Sequence, residues 1–442
     1  LSPEILKRGV VTASAGNHAQ GVALVAKRLK CKATIVMPVT TPQIKIQAVE
    51  AYGADIILHG DSFDDAYGQA MKLATQKKLT FIPPYDDPDI IAGQGTIGME
   101  ILRQHTKPLH AVFVPVGGGG LISGIAAYIK SLHPEIKIIG VEPVDSNAMY
   151  LSLQKGRRVR LPQVGLFADG VAIKQVGKET FRLCRELVDE IILVDTDAIC
   201  AAIKDVFEDT RVMLEPSGAL SVAGAKLYCS REELRGKTMV AIASGANMNF
   251  DRLRHVSERA EIGEHREAVM SVTVPEMPGS FKKFCSMLGT KSITEFNYRY
   301  DDPKEARVFV GVSVRNRNET KELIKLLEKN GLHTEDLSDN EMAKLHIRYL
   351  VGGHASGVKN EVLYRFEFPS RPGALMKFLN SMGHNWNISL FHYRNHGADY
   401  GRVLVGIDVP PGNQAKFKKF LSQLGYRYWD ESKNQAYKMF LG

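Results

Sequence analysis

Short apolar runs alternate with stretches of helical periodicity over the first 250 residues of the chain. The apolar runs are rich in Val and Ile and do not alternate with polar residues, which is typical of strands buried on both faces. Strand and helix repeated in this order predict an α/β fold with open, mostly parallel sheets. We predict strands at residues 10–14, 33–38, 55–59, 111–116, 138–142, 191–195 and 239–244, and helices at residues 21–29, 45–52, 62–76 and 198–210.

The last third of the chain contains an internal repeat. Residues 274–284 match residues 368–378 at an offset of 94, whereas 293–299 match 388–394 and 308–312 match 403–407, both at an offset of 95. Each copy reads as strand, Pro-Gly turn, helix, strand, strand and helix, the order of a ferredoxin-like βαββαβ unit. Because the register holds across three separate blocks, the repeat predicts a duplicated domain.

A chain of 442 residues is longer than one hydrophobic core usually supports. The charged stretch from Asp251 to Glu267 has few apolar residues and separates the α/β pattern from the repeat. We therefore predict a first domain at 1–250, a neck at 251–267, and two repeat domains at 268–345 and 361–442.

Composition narrows the classes of function. Charged residues make up 24% and hydrophobic residues 44% of the chain, as in ordinary globular proteins. The net charge of +8 is mild, and its densest basic cluster (Lys155, Arg157, Arg158 and Arg160) has no interleaved aromatic residues. We therefore expect no nucleic-acid partner. No apolar run is long enough to cross a bilayer and no signal peptide is evident, so we expect no membrane partner.

The five cysteines form an odd number and show no C-x-x-C spacing. This pattern favours a reducing compartment and predicts neither a disulfide framework nor a structural zinc site. No spacing typical of other metal ligands occurs in the chain, so we expect no metal.

Three glycine-rich turns follow predicted strands and precede helical patterns. In an open parallel sheet the carboxyl ends of the strands share one edge, so the three turns are expected to converge on one crevice. We call them the asparagine loop, the glycine loop and the serine turn: respectively Ser14-Ala15-Gly16-Asn17-His18-Ala19-Gln20-Gly21, Gly117-Gly118-Gly119-Gly120-Leu121 and Ser244-Gly245-Ala246-Asn247.

The glycine loop indicates phosphate binding. A side chain larger than hydrogen would block an anion from the main-chain N–H groups, and the following helix N-terminus adds partial positive charge. A bare tight turn is the alternative. Asn17 can donate to and accept from a ligand, but a helix cap explains an Asn or Ser at such a position equally well. The same alternative holds for Ser244, and a structural role is the alternative for His18.

Together these residues resemble the fold-type II family of pyridoxal-phosphate enzymes, whose fold is like that of the tryptophan synthase β chain. Within it, the chain is similar to the biosynthetic threonine deaminases, which carry two ACT-like regulatory domains at the C-terminus. The resemblance covers residues 1–442, and the amino-acid sequence of its motifs is most similar to that of the plant enzymes. It rests on the three turns and on three further strings: residues 37–45 (MPVTTPQIK), 59–63 (HGDSF) and 215–219 (EPSGA).

The resemblance implies roles for named residues. Asn17 would bond the 3′-hydroxyl of pyridoxal 5′-phosphate, Ser244 would bond its pyridine nitrogen, and Ser14, Gly16 and His18 would hold the substrate carboxylate. The implied reaction is the dehydration and deamination of L-threonine to 2-oxobutanoate and ammonia, the first committed step of isoleucine biosynthesis. The phosphate would be held by Gly117, Gly118, Gly119, Gly120 and Leu121.

The chemistry needs a Schiff-base lysine, which in this family lies in a Ser-Phe-Lys-x-Arg-Gly-Ala segment upstream of the asparagine loop. Only thirteen residues precede Ser14, and the segment occurs nowhere in the chain. We therefore expect the chain as given to lack its N-terminus, including any targeting segment, and to have no catalytic residue of its own. A catalytically silent amino-acid sensor is the alternative of another class. A serine dehydratase or racemase is the alternative of the same class, although Ala15 stands where racemases of this fold have a serine acid/base.

The resemblance also implies regulation. Isoleucine would act as allosteric inhibitor at the ACT-like domains, near the Pro-Gly turns around Gly279 and Gly373, where main-chain N–H groups can meet a carboxylate. Glycines that only make tight turns are the alternative. The implied assembly is a homotetramer, and the plant-like wording implies a plastid location.

Overall fold

The computed structural model describes residues 2–41, 43–61, 63–263, 266–275, 280–289, 291, 293–298, 304–347, 358–369, 374–382, 385–394 and 400–440. The chain forms two compact units, Leu1–Val256 and Ser257–Gly442. Among the described residues, no helix combines the length and the apolar character needed to cross a membrane.

The first unit contains two four-stranded sheets in which every pair of strands is parallel. The strands are β1 (Val10–Ala13), β2 (Ala33–Met37), β3 (Asp55–Leu58), β4 (Thr80–Phe81), β5 (Ala111–Pro115), β6 (Lys137–Pro143), β7 (Glu190–Val194) and β8 (Met239–Ala241). One sheet has the order β3-β2-β1-β4 and the other β7-β6-β5-β8. Since β5 and β8 are neighbours, the glycine loop and the serine turn follow adjacent strands, whereas the asparagine loop follows β1 in the other sheet.

Helices connect these strands. The helices that the described residues of the first unit form are α1 (Pro3–Arg8), α2 (Asn17–Arg28), α3 (Gln43–Glu50), α4 (Phe63–Gln76), α5 (Pro88–Gln104), α6 (Gly120–Leu132), α7 (Ala148–Gln154), α8 (Lys178–Leu187), α9 (Thr196–Thr210) and α10 (Pro216–Arg231). The strands contribute apolar side chains to both faces, since Val112, Phe113 and Val114 of β5 are all fully buried. This double burial explains why the sequence of these strands does not alternate.

The largest differences from the predicted limits are at one helix and one strand, and the other predicted limits shift by at most two residues. α2 begins at Asn17, four residues before the predicted start at residue 21, because Gly16 is its N-cap. The last strand ends at Ala241, whereas the sequence predicts a strand to residue 244. Beyond it the chain leaves the sheet, and Gly245 approaches Gly218 at the start of α10 so closely that a Cβ on Gly218 would overlap the Gly245 carbonyl oxygen.

Helices α5 and α6 approach each other backbone to backbone. A Cβ on Gly124 of α6 would overlap the carbonyl oxygen of Ile91 and lie 2.6 Å from the nitrogen of Gly95. A Cβ on Gly98 would lie 3.2 Å from the carbonyl oxygen of Ile125. Hydrogen in place of a side chain therefore sets the distance between these two helices.

The stretch predicted as a neck is mostly helical. A 3₁₀ turn covers Phe250–Arg252 and helix α11 covers Leu253–Gly263, and the boundary of the two units falls at Val256–Ser257 inside that helix. The exact domain limits given above stay predictions.

The second unit contains the two repeats, and each is a βαββαβ unit with a four-stranded antiparallel sheet followed by a short helix. Its elements are β9 (Glu267–Pro275), α12 (Ser280–Leu288), β10 (Ile293–Tyr298), β11 (Glu305–Ser313), α13 (Arg317–Lys329), β12 (Thr334–Asp336), α14 (Glu341–Leu345), β13 (Glu361–Pro369), α15 (Ala374–Met382), β14 (Asn387–Arg394), β15 (Tyr400–Asp408), α16 (Gln414–Leu424), β16 (Arg427–Asp430) and α17 (Gln435–Phe440). The strand orders are β10-β11-β9-β12 and β14-β15-β13-β16. The predicted ferredoxin-like fold is confirmed for both repeats.

The two repeat sheets share one apolar core. Val269 and Phe309 of the first repeat pack in one cluster with Leu363 and Leu404, which stand at the equivalent positions of the second. Asn340 Nδ2 also donates to Asn434 Oδ1 at 3.3 Å, and these two residues are again equivalent, at an offset of 94. The repeats therefore face each other in a nearly two-fold arrangement. We call the apolar cluster that contains Val269, Phe309, Leu363 and Leu404 the shared repeat core.

Candidate active site

The asparagine loop meets the serine turn through one carboxylate. Glu215 is the N-cap of α10, where Pro216 takes the first helical position, and its side chain makes no capping hydrogen bond. It accepts instead from Asn17 Nδ2 at 2.6 Å, while its main-chain N–H donates to the carbonyl of Gly245 at 3.1 Å. Asn17 is the first residue of α2, whose N-cap is Gly16, so its side chain meets Glu215 instead of capping the helix.

Burial raises the pKa of Glu215, and the hydrogen bond from Asn17 opposes this shift. The carboxyl also fills the space beside Gly245, where a Cβ would overlap Glu215 Oε1 and lie 2.9 Å from Asn17 Nδ2. Glu215 therefore links two of the three turns, a role that the sequence analysis did not assign to it.

Protein atoms occupy the positions that side chains would take on the glycines of this loop. A Cβ on Gly117 would lie 2.9 Å from the Cα of Val171, and one on Gly118 would overlap the ring of Tyr85. Gly119 has a φ of 92°, in the left-handed region. The sequence argument attributed these glycines to the approach of an anion; the structure shows that packing against the protein also requires them.

The main-chain donors of the glycine loop are free to bind an anion. Helix α6 begins at Gly120 with Gly119 as N-cap, so the N–H groups of its first turn have no acceptor within the helix. In the described part of the chain, the N–H groups of Gly118, Gly119, Gly120 and Leu121 donate to no protein acceptor. These converging donors suit a phosphate group.

A further buried polar atom, beside Gly170, lacks a partner among the described residues. Ser217 Oγ is buried and forms no hydrogen bond with any residue that the structure describes. It lies at the start of α10, where a Cβ on Gly170 would come within 2.8 Å of it. Free N–H groups and an unpaired hydroxyl together fit a polar, phosphorylated ligand.

The ring of His18 makes contacts within the first sheet. Its Nε2 lies 3.0 Å from Thr12 Oγ1 and 3.3 Å from the carbonyl oxygen of Ile82, so its ring joins the ends of β1 and β4. Burial lowers the pKa of His18, so the ring carries no charge at neutral pH. The structural alternative for His18 thus fits its contacts better than binding of a substrate carboxylate.

Stability should fall as the pH is lowered through the ordinary His18 pKa of 6.5. Since the folded-state pKa is lower, the unfolded chain binds more protons between the two values, and stability is lost as pH falls. Urea unfolding midpoints at pH 8 and pH 5 should differ more for the parent than for His18→Gln. An equal difference in the two proteins would contradict this.

The other predicted site residues lie as follows. Ser14 Oγ accepts from the N–H of Gly16 at 3.2 Å, which holds the asparagine loop in shape. Ser244 is exposed, three residues after the end of β8. Gly279 and Gly373 lie outside the described residues.

A buried charged cluster that the sequence analysis missed lies beside Glu215. Lys45 of α3 forms an ion pair with Asp169, and Arg252 Nη1 lies 3.3 Å from Asp169 Oδ1. Burial alone would raise the pKa of Asp169, but Arg252 and Lys45 hold it below its usual value. Sequence distances of 124 and 83 residues explain why no local pattern marks these contacts.

Among the described residues, no group of three or more His, Cys, Asp and Glu side chains is arranged to hold a metal ion.

Comparison with family models matches two families. Residues 4–245 match the model of pyridoxal-phosphate dependent enzymes. Residues 258–347 and 352–441 each match the model of the C-terminal regulatory domain of threonine dehydratase.

Curated relatives match over the whole chain. The L-threonine dehydratase biosynthetic IlvA of Burkholderia multivorans is 60% identical over 100% of this chain and 88% of its own length. The corresponding Escherichia coli protein is 54% identical over 100% and 86%. The threonine dehydratase 1 biosynthetic, chloroplastic, of Solanum lycopersicum is 56% identical over 100% and 73%. The chain is thus similar in sequence to bacterial as well as plant proteins.

Solved structures match over more than half of the chain. The processed form of threonine deaminase isoform 2 from Solanum lycopersicum has a TM-score of 0.58 and 56% identity, and the match covers 59% of this chain and 72% of that one. Maize serine racemase has a TM-score of 0.55 and 34% identity, with coverages of 58% and 78%.

Proposed function

Because the chain belongs to the pyridoxal-phosphate-dependent threonine dehydratases with a C-terminal regulatory region, we propose that it serves the conversion of L-threonine to 2-oxobutanoate and ammonia. The observation that carries this proposal is the match of at least 54% identity to biosynthetic threonine dehydratases over the whole chain. Water leaves in the elimination and returns in the hydrolysis, so the net products are 2-oxobutanoate and ammonia.

The chain's own residues hold the cofactor in this proposal. The N–H groups of the glycine loop, from Gly117 to Leu121, bind the phosphate of pyridoxal 5′-phosphate, and Asn17 binds the 3′-oxygen. When bound, the cofactor supplies an electron sink for negative charge at the substrate α-carbon. Ser244 places a neutral hydroxyl at the pyridine nitrogen. A hydroxyl does not force that nitrogen to stay protonated, which favours elimination over transamination.

The substrate carboxylate is assigned to the start of the asparagine loop. Ser14 and Gly16 supply the binding groups, and the first turn of α2 adds main-chain N–H groups to them. His18 supports this loop through the contacts of its Nε2 with Thr12 Oγ1 and with the carbonyl oxygen of Ile82. His18 holds the position of the loop through these contacts, and its proposed role toward the substrate carboxylate is carried by the remaining polar groups of the residue.

Serine dehydratase or racemase activity is the second candidate, favoured by the 34% identity to maize serine racemase. The two regulatory-domain matches at residues 258–347 and 352–441 favour threonine dehydratase instead. A silent sensor is less well supported, because the donors of the glycine loop and the contact between Asn17 and Glu215 are intact.

Regulation by isoleucine is part of the proposal. The effector would bind at the repeats near Gly279 and Gly373 and favour a less active arrangement. Such coupling is typically about 5- to 150-fold in affinity. We further propose a homotetramer, and a plastid location should the source be a plant, since tomato and Arabidopsis relatives are named chloroplastic.

The test uses a probe that needs no covalent lysine, since the Ser-Phe-Lys-x-Arg-Gly-Ala segment is not in the sequence. Phosphopyridoxyl-L-threonine, a stable secondary amine, should bind the chain in a calorimetric titration, and more tightly than the L-serine analogue. L-isoleucine should weaken that binding about fivefold or more, with D-isoleucine as the control.

Three results would separate the parts of the proposal. Absence of binding would overturn the assigned function. Tighter binding of the serine analogue would favour the second candidate. Unchanged affinity with L-isoleucine would overturn the regulation alone.

A further inference from the structure

We infer that Thr180 is a positioning residue for the phosphate site: it fixes the Gly118–Gly119 peptide so that the Gly119 N–H faces the cofactor phosphate. The inference rests on the proposed function, because it deepens the assignment of the glycine loop. Thr180 lies on α8, some sixty residues after the loop, and no motif in the sequence marks it.

The carbonyl of Gly118 is held from the side of α8. Thr180 Oγ1 donates to it at 2.7 Å, and the N–H of Gly177 donates to it at 3.4 Å. Thr180 is fully buried. Because a trans peptide is planar, the N–H of Gly119 points opposite to the carbonyl of Gly118. Holding that carbonyl toward α8 therefore turns the Gly119 N–H away from α8, to the side on which no protein acceptor meets it.

This orientation needs an external constraint. Gly118 and Gly119 lack side chains, so the peptide between them can rotate at little steric cost. Rotation would exchange the N–H for a carbonyl and turn an anion donor into a repulsive acceptor. The hydroxyl of Thr180, a hydrogen-bond donor beside this carbonyl, selects the orientation that binds an anion.

Thr180 is itself held by the segment that covers the glycine loop. Asp86 Oδ1 accepts from the N–H groups of Glu179 at 2.9 Å and Thr180 at 3.3 Å, and Oδ2 accepts from Lys178 at 2.8 Å. The preceding residue, Tyr85, places its ring against Gly118. Residues 85 and 86 thus fasten α8 and the glycine loop to each other, which keeps Thr180 within reach of its acceptor.

The experiment compares phosphorylated and unphosphorylated ligands on the whole chain. The probes are 4-deoxypyridoxine 5′-phosphate and 4-deoxypyridoxine, which lack the aldehyde and so do not react with surface lysines. Calorimetry gives the ratio of their affinities, which isolates the contribution of the phosphate. The variants are Thr180→Val, which keeps the shape and removes the donor, and Thr180→Ser, which keeps the donor.

A matched control is available on α5. Thr96 Oγ1 also donates to a glycine carbonyl, that of Gly93, at 2.7 Å, but at an exposed position. Thr96→Val therefore makes the same chemical change without touching the glycine loop. Should Thr180→Val fail to fold, as judged by its melting curve, Thr180→Ala is compared with Thr180→Ser instead.

We expect Thr180→Val to reduce the affinity ratio about tenfold, with Thr180→Ser and Thr96→Val near the parent value. An unchanged ratio in both Thr180→Val and Thr180→Ala, or an equal loss for both ligands, would overturn the role of Thr180. A parent chain that does not distinguish the two ligands would overturn the phosphate site itself, and with it the proposed function.

Discussion

Replacing Gly124 by alanine should destabilise the first unit by about 3 kcal/mol. The added Cβ would overlap the carbonyl oxygen of Ile91 and lie 2.6 Å from the nitrogen of Gly95. Both are main-chain atoms of α5, so no side-chain rotation relieves the overlap and the two helices must separate. The gain in helix propensity, about 1 kcal/mol, is too small to offset this. The urea midpoint, followed by circular dichroism, measures the change.

Gly93→Ala is the matched control, because Gly93 lies in the same helix pair and nothing lies within 4 Å of its Cβ position. This variant should be more stable than the parent by about 0.5–1 kcal/mol. The sign of the effect is therefore expected to reverse between two identical substitutions. If Gly124→Ala had the midpoint of the parent, the close approach of α5 and α6 would be disproved.

The second large effect concerns cofactor binding. Gly118→Ala should weaken the binding of 4-deoxypyridoxine 5′-phosphate roughly 5- to 150-fold, since overpacking typically costs about 1–3 kcal/mol. The new Cβ would overlap Cγ, Cδ1 and Cδ2 of the Tyr85 ring, so either the ring must rotate away or the glycine loop must move. A moved loop no longer aims its N–H groups at one point. Calorimetry measures the affinity.

Removal of the ring provides the internal check. In Gly118→Ala with Tyr85→Ala the overlap is gone, so the double variant should bind more tightly than Gly118→Ala alone. The coupling between the two changes should exceed about 0.5 kcal/mol, as for residues in contact. Strictly additive effects would show that Tyr85 does not determine the need for glycine at position 118.

Sequence reasoning predicted that the three turns lie together, because the carboxyl ends of parallel strands share one edge of a sheet. The structure places β1 in one sheet and β5 and β8 in the other, so a shared edge accounts only for the glycine loop and the serine turn. The asparagine loop is joined to the serine turn by the contact of Asn17 with Glu215, which strand order does not predict. The periodicity of strands and helices and the repeat at offsets of 94 and 95 sufficed for both fold types.

What the sequence did not reveal depends on long-range contacts. Glu215 meets Asn17 across 198 residues, and Thr180 meets the carbonyl of Gly118 across 62. Thr180 lies in no motif, and the string at residues 215–219 marks Glu215 without indicating that it meets Asn17. The contacts of His18 Nε2 with Thr12 and with the carbonyl of Ile82 are likewise long-range or structural features that its motif does not reveal.

The shared repeat core makes each repeat the obligatory partner of the other. Leu363 and Leu404 cover Val269 and Phe309, so a repeat expressed alone would expose that apolar face to water. A single-copy protein would have to bury the face by associating with a second chain, and dilution would dissociate that pair. Here the partner is tethered within the same polypeptide at a high effective concentration, so the pairing is independent of how much protein is present.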